Sequence, residues 1–451
     1  MVRTTTAFMV LMNCGNRQFL MVVACPGKRK LCLKKWRYSS SLCEPRNLTW
    51  KKFFLERTKQ ERQLESATAI DFNYQRITKP SGSFTNVAYL SGSGLTMSGE
   101  GKSVICAGAD LSLYAFDVQQ GSVIWSSPAQ DSIIEKLATV PQLGLAITVD
   151  SSSKVKVWNC RDPDALATRV LPESCADCGI VAAFLTKDGP ILLINDYRGN
   201  MMVFTLPELQ LLCEFKVFPY TASLLLGSPD KKWIFICKNH PHLFPKIFSS
   251  ECLMKTPRGS SPVYFSVPFA SSIQAGWNPR RENRITVLYR AGSTGGKTAG
   301  FVTFDVTKEM AGGSTVILGR QIAHFLLPGN MKNPRWMGVS ENDVVVFGSG
   351  NCLQLFSIYG NKLLHFDHTS YVSQLLVDSV RVIACVCGAL HLYLWEEAGH
   401  APYLKSCCVL RFQEKEFSTI FSSHLACDNV SMVCSFFETE GSVLVLFALK
   451  R

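Results

Sequence analysis

One arrangement recurs along this chain and limits what it can fold into. A short apolar run is followed by a polar turn, then by a second alternating run with an aromatic near its end. The clearest copies are SVICAGADLSLYAFDVQQG from Ser103, LAITVDSSSKVKVWNCRD from Leu145 and ILLINDYRGNMMVFTLPEL from Ile191, with VVVFGSGNCLQLFSIYGN from Val344 and VIACVCGALHLYLWEEAG from Val382. Their aromatics are Phe116, Trp158, Phe204, Phe356 and Trp395. Looser copies start at Lys232, Arg284 and Ser431. Runs of this length with turn residues between them read as strands. Successive units begin about 40–60 residues apart, the period of four-stranded propeller blades. Inner propeller strands are covered on both faces, which explains why their runs are continuously apolar. The expectation is an all-β propeller over residues 86–451. Counting gives seven complete units and a C-terminal pair. A seven-bladed ring closed by that pair with an N-terminal strand is expected ahead of an eight-bladed one.

A second element precedes several units: Thr186-Lys-Asp-Gly-Pro, Ser228-Pro-Asp-Lys-Lys and Ser340-Glu-Asn-Asp. The acid or amide near each of these turns can bond neighbouring backbone amides and fix the entry into the next strand.

Charge separates the chain into two parts. Residues 1–65 hold fourteen Lys and Arg against Glu44, Glu56, Glu61 and Glu65, a surplus of ten. The rest of a chain with net charge +12 is nearly neutral. A nucleic-acid-binding body spreads cations over a groove or face, so nucleic acid is not an expected partner. Nor is a membrane, since no run approaches the roughly 18 apolar residues needed to span one. Eighteen cysteines do not imply a disulfide-stapled secreted domain, because a chain this long can build a core. Many lie within apolar runs such as VICAG and VIACVC, where Cys acts as a small hydrophobe. Reduced thiols in the cytosol or nucleus are expected.

Residues 1–30 read as an atypical leader, because the apolar stretch AFMVLM is short and broken by NCGNRQ. Residues 31–66 include the best helix candidate, LTWKKFFLERTKQERQ from Leu48. Asn47 can cap this helix, and Trp50, Phe53 and Phe54 share one face that should pack inward.

Motifs that would carry chemistry are incomplete. Cys175-Ala-Asp-Cys178 has metal-knuckle spacing, but no second CxxC follows and His240 and His242 lie far along the chain. Gly292-Ser-Thr-Gly-Gly-Lys-Thr298 resembles a phosphate loop, but Ala291 stands where that motif needs Gly. It also sits between two strand runs and reads as a hairpin loop. The eight histidines show no local catalytic signature. No catalytic, cofactor-binding or metal-binding residue is expected. A recognition surface remains, made of loop charges and aromatics at the blade tops, with an unusual loop expected in the 240–300 region.

The units ending in KVWNCRD, AFDVQQG and LYLWEEAG look like degenerate WD repeats, with SPDKKWIF as a blade-opening turn. Together with LCLKKWRY, LTWKKFFLERTKQERQ, LTKDGP, VIWSSP and YLKSCC, they make the chain resemble the mammalian F-box and WD-repeat family over residues 31–451. That resemblance implies a non-catalytic substrate receptor of a cullin-based ubiquitin ligase. The propeller face would bind a protein substrate, and F-box helices would bind the ligase adaptor and cullin. Only the end of an F-box is visible, where Leu31, Leu33 and Trp36 match its last turn. The alternatives are a propeller scaffold or decoy without adaptor binding, and a propeller enzyme with a polar pocket in its channel.

Overall fold

Each apolar run of the repeat becomes a strand. The computed structural model describes residues 72–451 apart from 80–83, 93–101, 173–174, 176–178, 292–297, 329–330, 332–333, 399–400, 412–421, 439–440 and 450–451; before residue 72 it describes the backbone of 13–14, 18–23 and 32–36. The chain divides into two compact units, Met1–Ser66 and Ala67–Arg451.

In the first unit, Asn13–Cys14, Gln18–Val23 and Cys32–Trp36 form an antiparallel three-stranded sheet in that order. Leu33 and Trp36, expected in a helical turn, therefore lie on a strand, in register with Val22 and Phe19. Leu31 and the helix expected over 47–65, with Trp50, Phe53 and Phe54, fall outside the described residues.

The second unit is a propeller of eight four-stranded antiparallel sheets. This corrects the expectation of seven blades. The C-terminal strands do not complete a seventh blade; Ser422–Cys427, Ser431–Glu438 and Gly441–Leu449 form an eighth of their own. Its outermost strand is Phe72–Lys79, which pairs antiparallel with Gly441–Leu449, so the ring draws on residues ahead of position 86. The recurrence period sets blade size but not blade number, which is why counting fell short.

Eight apolar clusters lie one at each blade interface. Alternating residues of one strand serve opposite interfaces, because successive strand side chains point to opposite faces. Numbered in chain order, blades 1 to 7 span 84–126, 134–170, 180–216, 224–266, 272–326, 336–367 and 372–411, and blade 8 is 422–449 with 72–79. In blade 3, Leu192 and Ile194 pack toward blade 2 while Ile191 and Leu193 pack toward blade 4. In blade 6, Val345 and Phe347 face blade 5 while Val344 and Val346 face blade 7. The recurring aromatic always lies at the interface with the preceding blade. Phe116, Trp158, Phe204 and Phe356 are buried there, and Trp395 is half-buried.

Polar bonds reinforce two of these seams. Between blades 8 and 1, Tyr89 Oη and Ser431 Oγ lie 2.9 Å apart, Ser103 Oγ donates to Asp428 Oδ2 at 2.6 Å, and the Phe84 amide donates to Ser442 Oγ at 3.0 Å. Between blades 5 and 6, buried Arg284 donates through Nε (2.6 Å) and Nη2 (2.8 Å) to Asp305, and through Nη1 to Asp343 at 2.7 Å. Removing the cation from such a cluster leaves poorly solvated carboxylates facing each other, at a cost of about 3–5 kcal/mol. Arg284→Ala should lower unfolding free energy by about 3 kcal/mol in urea titration. A loss under about 0.5 kcal/mol, typical of an ordinary surface substitution, would show that the cluster does not secure this seam.

Candidate protein-recognition face

The turns of the ring fall on two ends. At one end lie the turns joining first to second and third to fourth strands, and their polar groups are bound internally. Asp378 Oδ1 accepts the Val380 and Arg381 amides, and Asp428 Oδ1 accepts those of Val430 and Ser431. Ser228 Oγ donates to Asp230 Oδ1 at 2.6 Å and accepts the Trp233 amide. Ser340 Oγ accepts the Val344 amide, and Thr186 Oγ1 accepts that of Asp188. The acid does the expected work at Asp230, which accepts the Lys232 amide at 3.1 Å, whereas in the other two motifs the hydroxyls of Thr186 and Ser340 take that place.

The same end carries a short helix, Ser250–Lys255, whose Glu251 takes salt bridges from Lys255 (2.7 Å), Lys308 (2.8 Å) and Lys187 (3.4 Å). Those lysines hold its carboxyl down at about 2, Lys255 contributing most. Lys187 belongs to blade 3 and Lys308 to blade 5, so one carboxylate ties three blades together. Lys308 extends from a long hairpin, Thr298–Ala311 paired with Ser314–Leu326. The irregular segment expected within 240–300 includes this helix.

At the other end lie the turns joining second to third strands and the loops between blades. In blades 3–5 this end exposes aromatics. The turn 196–199 between Gly189–Asn195 and Asn200–Thr205 is fixed by Asp196, whose carboxylate accepts the Asn200 amide at 2.7 Å and its Nδ2 at 2.9 Å. Gly199 has φ +81°, a conformation that disfavours a side chain. The following inter-blade loop lies against it, with the Val217 amide donating to Gly199 O and Thr221 Oγ1 to Asp196 O. The Ala222 amide donates to Asn195 Oδ1 at 2.6 Å. This scaffold leaves Tyr197 45 % exposed and Tyr220 56 % exposed. The guanidinium of Arg198 lies 5.4 Å from the Tyr197 ring, with its Nε 3.1 Å from Tyr197 Oη.

The arc continues into blade 4. The Tyr220 and His240 rings are 6.2 Å apart and the His240 and His242 rings 5.7 Å, with exposed Phe244 beside them in the chain. His240 O accepts the Ser271 amide, tying this turn to the loop that carries Phe269. Phe269 stacks on His324 at 5.4 Å, and His324 Nε2 meets Tyr289 Oη at 2.5 Å in blade 5. Sequence reasoning placed loop aromatics at the blade tops but could not select residues, because the arc exists only once four separate loops converge.

Cys175 is buried, and Cys178 lies outside the described residues. Among the described residues no group of His, Cys, Asp or Glu is arranged to hold a metal. The 292–297 segment joins two antiparallel strands that pair Ala291 with Thr298, so no helix follows it as a phosphate loop requires.

An eight-bladed ring with many turn side chains bonded internally at one end and an aromatic, loop-built arc at the other defines a WD-like β-propeller suited to recognition. Its fold is shared with Sqt1 from Chaetomium thermophilum (TM-score 0.60, 12% identity, covering 84% of this chain and 100% of that one). Sqt1 of Saccharomyces cerevisiae is similar at TM-score 0.57 and 11% identity, again covering 84% of this chain and 100% of that one. No family model matches the sequence. Full-length relatives do. Human F-box/WD repeat-containing protein 12 is 40% identical over 426 residues, 93% of this chain and 90% of the relative. Mouse F-box/WD repeat-containing protein 15 is 36% identical over 414 residues, 90% of this chain and 86% of the relative. The chain belongs to the F-box/WD repeat-containing proteins.

Two expectations test this end of the ring. A Cβ at Gly199 would collide with the carbonyl oxygens of Phe218 and Tyr220. Gly199→Ala should therefore cost about 2–3 kcal/mol and loosen amide protection over 217–222 in hydrogen exchange. Unchanged protection would show that the loop does not depend on this turn. The second concerns blades 6 and 7, where His368 and His391 rings meet edge-on at 4.7 Å and Tyr393 Oη lies 3.3 Å from His368 Nε2. Burial, then neighbouring His368 and Arg411, brings His391 down to about 4 from the usual 6.5. A histidine held neutral in the fold stabilises it above its unfolded pKa, and that contribution is lost as pH falls through the folded value. Thermal melts should show stability declining from pH 6.5 toward 4, with a shallower decline in His391→Gln; identical profiles would rule out this histidine.

Proposed function

We propose that this chain is the substrate-recognition subunit of a cullin-based, SCF-type ubiquitin ligase. It holds a protein substrate on the aromatic end of the propeller while the adaptor and cullin bring the ubiquitin-charged enzyme. The observation that carries this reading is the 40% identity to a protein named for its F-box and WD repeats, spread over 93% of the chain. The propeller itself does no chemistry here. Its contribution is proximity, which raises the effective concentration of a substrate lysine near the charged enzyme. Leu31, Leu33 and Trp36 are the adaptor-side residues in this scheme. Many of the described cysteines, such as Cys106, Cys213, Cys237 and Cys434, lie buried within strands as small hydrophobes, which suits work in the cytosol or nucleus.

A scaffold or decoy that binds the same substrates without a ligase is the second reading. It is favoured by the extended backbone of Cys32–Trp36, where a helical F-box ending would be needed.

Co-purification separates the two readings. The full chain, recovered from cells under proteasome inhibition, should bring down the adaptor and cullin, and Leu33→Ala with Trp36→Ala should lose both while substrates remain bound. Absence of adaptor and cullin, where the human relative recovers them in parallel, would leave the scaffold reading standing.

A further inference from the structure

The aromatic end of blades 3–5 has a charge pattern that specifies its occupant. The loops 196–199, 217–223, 238–245 and 267–271 contain a single acid, Asp196, which is buried and bonded to Asn200. Among the described residues, cations flank these loops on all three blades: exposed Arg198 and Lys216 in blade 3, half-buried Lys238 and Lys246 in blade 4, and exposed Arg290 in blade 5. Between them lie the rings of Tyr197, Tyr220, His240 and Phe269. The opposite end differs, since Glu251, Asp230 and Asp343 there pair with Lys and Arg.

We propose that this arc binds an extended, acidic protein segment in which Asp or Glu alternates with aromatic or proline residues. The inference rests on this end being the recognition face, and it names the class of ligand held there. Complementary potential favours an acidic ligand and disfavours basic ones. The distribution of cations selects among anions. A phosphate group concentrates close to two negative charges and draws several donors onto one point. Here the cations sit on three different blades, which matches carboxylates spaced along a chain. The rings supply flat apolar faces for the intervening aromatic or proline side chains. One guanidinium already lies over a ring, as Arg198 does on Tyr197, an arrangement that orients its planar fork.

The test uses the full chain and four fluorescein-labelled probes: a peptide of repeated Glu-Tyr-Pro triplets, the same peptide with Gln for Glu, the Gln peptide carrying one phosphoserine, and an oligouridylate. The Glu peptide should bind, the Gln peptide should not, and binding should weaken as salt rises. Arg198→Glu and Arg290→Glu should each weaken it about tenfold. Lys362→Glu, on the outer strand Lys362–Asp367 of blade 6, should leave it unchanged, and thermal melts confirm that every variant folds. No binding of the Glu peptide, equal binding of the Gln peptide, tighter binding of the phosphoserine peptide or the oligouridylate, or insensitivity to both reversals overturns the proposal. Adaptor capture is read separately, so failure of this inference and failure of the ligase reading are distinguishable.

Discussion

Everything in the ring depends on how each inner strand divides its side chains between two neighbours. Ile191 and Leu193 belong to one interface and Leu192 and Ile194 to the next. No blade has a core of its own, so each is stable only between two others. This arrangement requires continuous apolar runs and leaves no polar face for water between blades. It also confines recognition to the two ends, where turns and loops break the pattern.

The two ends then diverge by how completely their polar groups are used. At one end, Asp and Ser side chains close their own turns and Glu251 draws in three lysines from three blades. Little of that chemistry is left to offer a partner. At the other end, short turns such as 196–199 spend their polar groups on fixing the backbone and project Tyr197 and Arg198 outward. Rigid backbone beneath exposed rings is a favourable base for binding, because little ordering remains to be done on contact.

Much of this was legible in the sequence. The repeat predicted strands and blade format with an aromatic near the end of each unit, though not the inter-blade place that aromatic takes, and the motifs at Thr186, Ser228 and Ser340 marked their turns. Blade number was not legible, because the eighth blade borrows Phe72–Lys79 from the far end of the chain and a period carries no information about closure. The recognition arc was not legible for a related reason: Tyr197, Tyr220, His240 and Phe269 belong to four loops with no shared spacing. Arg284 could not be singled out either: Asp305 is its cross-strand neighbour within one blade, but Asp343 meets it only across a blade seam. Local chemistry can be read from a single sequence, whereas meetings between distant segments require the ring.

The closing strand also sets a timetable for synthesis. Phe72–Lys79 leaves the ribosome well before Gly441–Leu449, its hydrogen-bonding partner. At ~5–20 residues per second, the roughly 360 residues between them take on the order of 20–70 s to appear. Throughout that interval the early strand carries unsatisfied backbone groups, an edge that invites pairing with other chains. A chain of this design therefore keeps its ring open until Gly441–Leu449 is made, and truncation ahead of that strand would leave the edge of Phe72–Lys79 uncovered.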